Sequence, residues 1–217
     1  MYDILILLLA YLFGSIPFGL VITRLFGVPD IRSVGSGNIG ATNVLRTAGI
    51  FPALLVTLLD IAKGTLAVII AGSFGGYLLG DIEYLKLVAG LLAILGHVFP
   101  IFIGFRGGKG INTALGVFIT LLIIPTLIAL AIFIISVVIT RYVSLGSILA
   151  SLTLPISIFV LKTLNPGQYH PVYLPVTVIF AVLAIFAHRT NIKRLVNGVE
   201  NKFSFRSKPA SEAEDYG

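Results

Sequence analysis

Residues 33–46 read SVGSGNIGATNVLR, a run of glycines and short polar side chains that ends in an arginine. Gly35, Gly37 and Gly40 let the backbone approach an anion and turn its N–H groups inward as a nest. Ser36, Asn38, Thr42 and Asn43 add neutral hydrogen-bonding groups. Arg46 adds a permanent charge suited to planar contact with phosphate. The glycines also spell G-x-G-x-x-G, with Asp60 further on. That pattern signals a dinucleotide site only after a strand, within a βαβ unit. Here long apolar segments flank it and Asp60 falls inside LLVTLLDIAKG, so a dinucleotide is rejected.

A second stretch, GFRGGKG at 104–110, places Gly107, Gly108 and Gly110 around Lys109. It is no Walker loop, because Gly110 stands where Ser or Thr is required and the glycine spacing differs. With a helix starting just after it, the stretch combines N–H groups, a helix N-terminus and an ammonium, which together make an anion seat. A third, HRTNIKRLVNGVE at 188–200, puts His188 and Asn191 three apart on one helical face, with Arg194 near it. RYVSLGS at 141–147 contributes Arg141 and Ser144. His97, in GHVFP, reads as structural, pinning the end of a helix. Asp60 and Lys63 are three apart on an apolar helix and read as a pair that locks the bundle.

Other chemistries lose their support. The chain has no cysteine, which removes thioester intermediates and thiolate metal sites. It contains no G-x-S-x-G, no H-E-x-x-H and no His followed five positions later by Asp. No carboxylate cluster suggests a metal.

The elements that must position these residues are membrane helices. The 217 residues are 57% hydrophobic and 11% charged, far from the balance of an ordinary soluble domain. Apolar spans are predicted at 3–25, 50–72, 84–103, 145–162 and 173–188. The apolar run 111–140 is too long for one span and is read as two helices meeting in a turn at Pro125. The fold class is therefore an all-α integral membrane protein with about seven transmembrane helices. The first helix does not read as a cleaved signal, since Asp3 stands where a basic region belongs. One set of loops holds Arg24, Arg32, Arg46, Arg106, Lys109, Arg141, Arg189, Lys193 and Arg194, and the opposite set only Lys86 and Lys162. The positive-inside rule then puts the N-terminus outside and the C-terminus in the cytoplasm, with every glycine-rich or polar motif on the cytoplasmic side. The net charge of +6 serves topology; a nucleic-acid partner is not indicated. Residues 1–200 read as one polytopic domain and 201–217 as a polar, disordered cytoplasmic tail.

From the residues alone, two anion seats, several basic side chains and a histidine face the cytosol from a lipid-embedded bundle. Phosphorylated small ligands, at least one of them greasy, suit this layout, and so does transfer of an acyl or lipid group. The rival is a transporter or flippase for a phosphorylated molecule, which ordinarily shows repeats and polar residues at the bilayer midplane.

Together SVGSGNIGATNVLR, GHVFPIFIGFRGGKG and HRTNIKRLVNGVE resemble the motif blocks of the bacterial acyl-phosphate:glycerol-3-phosphate acyltransferase family. LLDIAKG and RYVSL add support, and the similarity covers about residues 1–200. The resemblance implies transfer of an acyl group from acyl phosphate to the 1-hydroxyl of glycerol 3-phosphate, giving lysophosphatidic acid and phosphate without metal or cofactor. It implies a seven-helix enzyme of the bacterial inner membrane with a cytoplasmic active site, served by a soluble enzyme that makes acyl phosphate. On that resemblance the donor phosphate is assigned to Ser36–Gly40 with Asn38. The acceptor phosphate is assigned to Lys109 and Arg46, with Ser144 nearby. His188 and Asn191 would orient the acceptor or polarise the carbonyl, and either His188 or the donor's own phosphate oxygen would take the hydroxyl proton.

Overall fold

The computed structural model describes residues 2–76 and 80–203, and all regular structure among them is helical. Four helices are long and apolar enough to cross a bilayer, and the count reaches six if each of two bent helix pairs is one span. The described residues form two compact units, one ending at Val117 and one covering Phe118–Phe203.

The first unit opens with α1 (Tyr2–Gly14) and α2 (Phe18–Leu25), bent by 41° where the sequence predicts one continuous span. Pro17 causes the break: it has no N–H to donate and keeps Ile16 out of helical geometry. The polar segment then makes a short 3-10 turn, Ile31–Ser33, before the glycine loop and α3 (Ala41–Ala48). α4 (Ile50–Phe74) and α5 (Ile82–Val98) follow, and a second 3-10 turn at Ile101–Ile103 leads into the 104–110 loop. α1, α4 and α5 bury a cluster of Ile6, Ala10, Ala67, Ala71, Leu85, Ala89 and Ala93. Its small side chains let backbones touch: a Cβ on Gly14 would stand 2.3 Å from the Ala93 carbonyl oxygen, and one on Gly96 2.4 Å from that of Tyr11.

α6 (Ile111–Leu121) starts directly after Gly110. It meets α4 at two glycines, where a Cβ on Gly64 would lie 2.2 Å from the Thr113 oxygen and one on Gly116 2.0 Å from that of Ile61.

In the second unit α7 (Ile123–Thr140) packs along α8 (Val143–Leu164), which packs on α9 (Tyr173–Ala187). The break in the 111–140 run falls at Leu122 (φ −142°, ψ 60°), not at the expected Pro125. Pro125 instead sits in the first turn of α7, where its missing N–H costs nothing. Phe118 and Phe180 meet edge to face, 5.1 Å between centroids. α10 (Arg189–Val196) leaves α9 at 60°, with His188 at the corner.

Candidate active site

The 33–46 stretch is tied together by one side chain. Asn43, in the first turn of α3 and 1% exposed, accepts from Ser36 N at 2.8 Å and donates Nδ2 to the carbonyls of Val34 (3.0 Å) and Ile31 (3.2 Å). Its amide is thereby spent on the loop. Asn43 is the brace that shapes the loop. Asn38 does similar work, its Oδ1 accepting from Gly40 N at 2.8 Å just before α3. Gly37 N donates to Val34 O at 3.1 Å. Three N–H groups of the expected nest, those of Ser36, Gly37 and Gly40, thus have acceptors within the protein. Gly35 is left-handed at φ 62° and lies so close to Asn43 that a Cβ would be 2.2 Å from Oδ1, so both demands select glycine. Ser36 is exposed. Thr42 and Arg46 are four apart on α3, half-buried, and share a face.

Upstream, Asp30 caps the 3-10 turn by accepting from Arg32 N at 2.9 Å and pairs with the guanidinium at 2.7 Å. Those hydrogen bonds lower the Asp30 pKa to about 2.

The 104–110 loop is zipped onto the end of α5. Gly107 N donates to Val98 O and Gly108 N to His97 O, both at 3.1 Å. A Cβ on Gly107 would stand 2.0 Å from the His97 oxygen, and one on Gly108 2.1 Å from His97 Nε2. These glycines are therefore required by close packing, and their N–H groups are committed to carbonyls. Gly110, at φ 77°, turns the chain into α6 and accepts from Ala114 N at 2.8 Å. Lys109 lies half-buried between two buried glycines at the helix start.

In the second unit Glu200 organises the site. Its Oε1 accepts from Ser144 Oγ at 2.8 Å and from Asn191 Nδ2 at 2.7 Å, and its Oε2 accepts from Arg194 Nε at 2.7 Å. Three expected site residues from two motifs converge on one carboxylate that sequence reasoning left unassigned. A signal existed: Asn197–Gly198 stops α10, and Glu200 is an isolated carboxylate just beyond a basic helix. Gly198 (φ 70°) makes the turn, with Val199 N bonded to Arg194 O at 2.9 Å, and this folds Glu200 back. Burial alone would raise the Glu200 pKa, but the hydrogen bonds from Arg194, Asn191 and Ser144 outweigh it and hold the pKa below the ordinary value. Residues 201–203, placed in the tail by sequence, continue this anchoring, with Phe203 N donating to Arg141 O at 2.6 Å. The rest of the expected tail lies outside the described residues.

His188 is 2% exposed, and its Nδ1 stands 2.8 Å from the Ala184 carbonyl oxygen. A carbonyl only accepts, so this contact is a hydrogen bond when Nδ1 carries the proton, and Nε2 is then the ring atom able to take one. Ile192 N donates to His188 O at 2.8 Å, opening α10 so that Asn191 follows on the same helix.

The profile of the glycerol-3-phosphate acyltransferase family matches residues 4–198. The glycerol-3-phosphate acyltransferase of Shouchella clausii (strain KSM-K16) is 46% identical over 196 residues, 90% of this chain and 93% of that protein. The one of Chlorobaculum tepidum is 42% identical over 227 residues, 94% of this chain and 97% of its own. Among solved structures, the glycerol 3-phosphate form of PlsY, an integral membrane glycerol 3-phosphate acyltransferase, superposes with a TM-score of 0.83 at 39% identity, covering 94% of this chain and 96% of that one. The lysophosphatidic acid form gives 0.81 at 37%, covering 94% and 97%. The similarity runs the length of both glycine loops and through α10, and the chain belongs to the glycerol-3-phosphate acyltransferase family.

Proposed function

We propose that this chain transfers the acyl group of an acyl phosphate to the 1-hydroxyl of glycerol 3-phosphate, releasing lysophosphatidic acid and inorganic phosphate. The observation that carries the acceptor and the product is the similarity to PlsY in a glycerol 3-phosphate form and in a lysophosphatidic acid form. The donor follows from chemistry. An acyl phosphate is a mixed anhydride with a good leaving group, so no covalent enzyme intermediate is needed and the absence of cysteine is no obstacle.

The hydroxyl oxygen attacks the acyl carbonyl carbon, the carbon–oxygen bond to phosphate breaks, and phosphate leaves. Ser36 Oγ and Asn38 Nδ2 hold the donor phosphate, presented by the loop that Gly35, Gly37 and Gly40 shape. Lys109 and Arg46, with Thr42, grip the acceptor phosphate. His188 and Asn191 orient the acceptor hydroxyl, and the proton goes to His188 Nε2 or to a donor phosphate oxygen. Ser144 and Arg194 act through the Glu200 cluster that holds Asn191 in place. Gly107, Gly108 and Gly110 serve by fixing the backbone that presents Lys109. Holding two reactants in line supplies about 7–11 kcal/mol of barrier reduction, which makes positioning the main task.

In the same reading residues 1–200 act as one acyltransferase domain. It crosses a bacterial inner membrane seven times, with α6 and α7 as short spans, the N-terminus outside and the active site toward the cytoplasm. The charge bias of the loops supports that orientation. A soluble enzyme that forms acyl phosphates must supply the donor.

The test is to reconstitute the purified chain in sealed vesicles with labelled glycerol 3-phosphate and a synthetic acyl phosphate. Labelled lysophosphatidic acid is the expected product. Uptake of the label with no new lipid would instead indicate a transporter.

A further inference from the structure

We propose that Asp60, Lys63 and His97 form a buried positioning triad that ties the two glycine-rich loops of the first unit together, so that residues remote from both loops set the spacing of the phosphate sites. The inference rests on the reading above for what those loops bind.

The three side chains are 1%, 1% and 5% exposed. Lys63 Nζ lies 2.7 Å from Asp60 Oδ1, and His97 Nδ1 lies 3.4 Å from the same oxygen. Each end of the triad reaches the backbone of a loop or of its support. At one end Lys63 Nζ donates to Ile16 O at 3.1 Å, in the break between α1 and α2, and stands 5.4 Å from the centroid of the Phe18 ring. The next residue, Gly19, abuts the first loop so closely that a Cβ would be 1.8 Å from the Ile39 oxygen. At the other end the His97 ring faces Gly108 through Nε2, and His97 O accepts from Gly108 N at 3.1 Å. Gly64, adjacent to Lys63, seats the Thr113 carbonyl at the start of α6. A line of neighbours therefore runs from Ile39 through Gly19 and its chain neighbour Phe18 to Lys63, Asp60, His97 and Gly108, beside Lys109.

Stability does not explain such a group. Apolar residues of similar volume commonly replace a buried ion pair at no loss of stability, whereas charges retained within a membrane helix mark function or specificity. Here the ion pair gives direction. Lys63 Nζ spans Asp60 and the Ile16 carbonyl in the break between α1 and α2, and Asp60 Oδ1 lies between that ammonium and the His97 imidazole.

The test compares the wild-type chain, Lys63→Arg, and the paired variant Asp60→Leu/Lys63→Met, which removes both charges so that neither is left buried alone. Thermal stability in lipid, kcat and KM for glycerol 3-phosphate are measured. The chain has no cysteine, so spin labels at Ser33→Cys and Arg106→Cys, one beside each loop, report the loop-to-loop distance distribution. The expected result is a KM raised at least tenfold and a broadened distance distribution in the paired variant, with its melting temperature near that of the wild type. Lys63→Arg keeps the charge but enlarges a side chain that is 1% exposed, and should move KM less than the paired variant does. Wild-type KM and a wild-type distance distribution in the paired variant would overturn the proposal. If the paired variant does not fold, His97→Gln, which leaves the Asp60–Lys63 pair intact, decides on the same two readouts. A wild-type chain that forms no lysophosphatidic acid contradicts the proposed reaction instead, and the spin-label distances still decide whether the triad positions the loops.

Discussion

Ser144 and Glu200 are 56 residues apart in sequence, and the serine hydroxyl donates to the carboxylate at 2.8 Å. With Asn191 on the same oxygen and Arg194 on the other, one buried carboxylate fixes the start of α8 against α10. Glu200→Ala removes the shared acceptor and leaves three donors unmatched. It is expected to destabilise the chain by about 2–4 kcal/mol, read as a lowered melting temperature in detergent or lipid. Unchanged stability would show that the cluster carries no weight.

The same carboxylate sets an acid limit. Its pKa in the folded chain lies below its ordinary 4.5, so between the two values the unfolded chain binds the proton and the folded chain does not. Its contribution is complete above pH 4.5 and disappears as pH falls through the lowered folded value. A melting-temperature profile against pH should therefore fall below pH 4.5 in the wild type, with a shallower fall in Glu200→Gln.

Asn43 is predicted to be irreplaceable even by its isostere. Asn43→Asp keeps the acceptor for Ser36 N but turns an oxygen toward the carbonyls of Ile31 and Val34. Both Asn43→Asp and Asn43→Ala should cost about 1–3 kcal/mol in stability and at least tenfold in kcat/KM. An active Asn43→Asp variant would show that the brace is not needed to shape the loop.

The glycines of the second loop differ in a measurable way. Gly107→Ala and Gly108→Ala place a methyl group against His97 and should lower kcat/KM more than tenfold. Nothing lies within 4 Å of a Cβ on Gly104, so Gly104→Ala meets only the strain of its positive φ, about 1 kcal/mol, and should retain most activity. Equal losses at all three positions would show that the 2.0–2.1 Å approach to His97 is not what selects glycine.

His188→Ala should lower kcat at least tenfold through loss of acceptor orientation. The pH profile separates the two routes for the proton. Loss of the acid limb assigns the base to His188, and a parallel profile assigns it to the donor phosphate.

Much of this architecture is legible in the sequence, and the exceptions share a cause. Length and hydropathy locate α4, α5, α8 and α9 within a few residues, because crossing a bilayer demands a long apolar run. The break at Pro17 is missed because the hydropathy of 3–25 continues through it, although the proline itself marks it. The Pro125 turn is misplaced by three residues because proline is as welcome in a first turn as in a break. α3 escapes notice because eight mixed residues carry too short a pattern. Site chemistry follows the same division. Residue types pick out the glycine-rich and polar segments, but Asn43 as brace, Gly107 and Gly108 as packing surfaces and Glu200 as hub are set by contacts between distant segments, which periodicity does not encode.

The most direct test of the proposed chemistry is the stoichiometry of a single turnover assay on purified chain in lipid, with glycerol 3-phosphate and a synthetic acyl phosphate. One lysophosphatidic acid should appear for each inorganic phosphate released, and neither above background when glycerol 3-phosphate is omitted. Phosphate release without new lipid, or no reaction from a folded and lipid-embedded chain, would contradict acyl transfer from acyl phosphate.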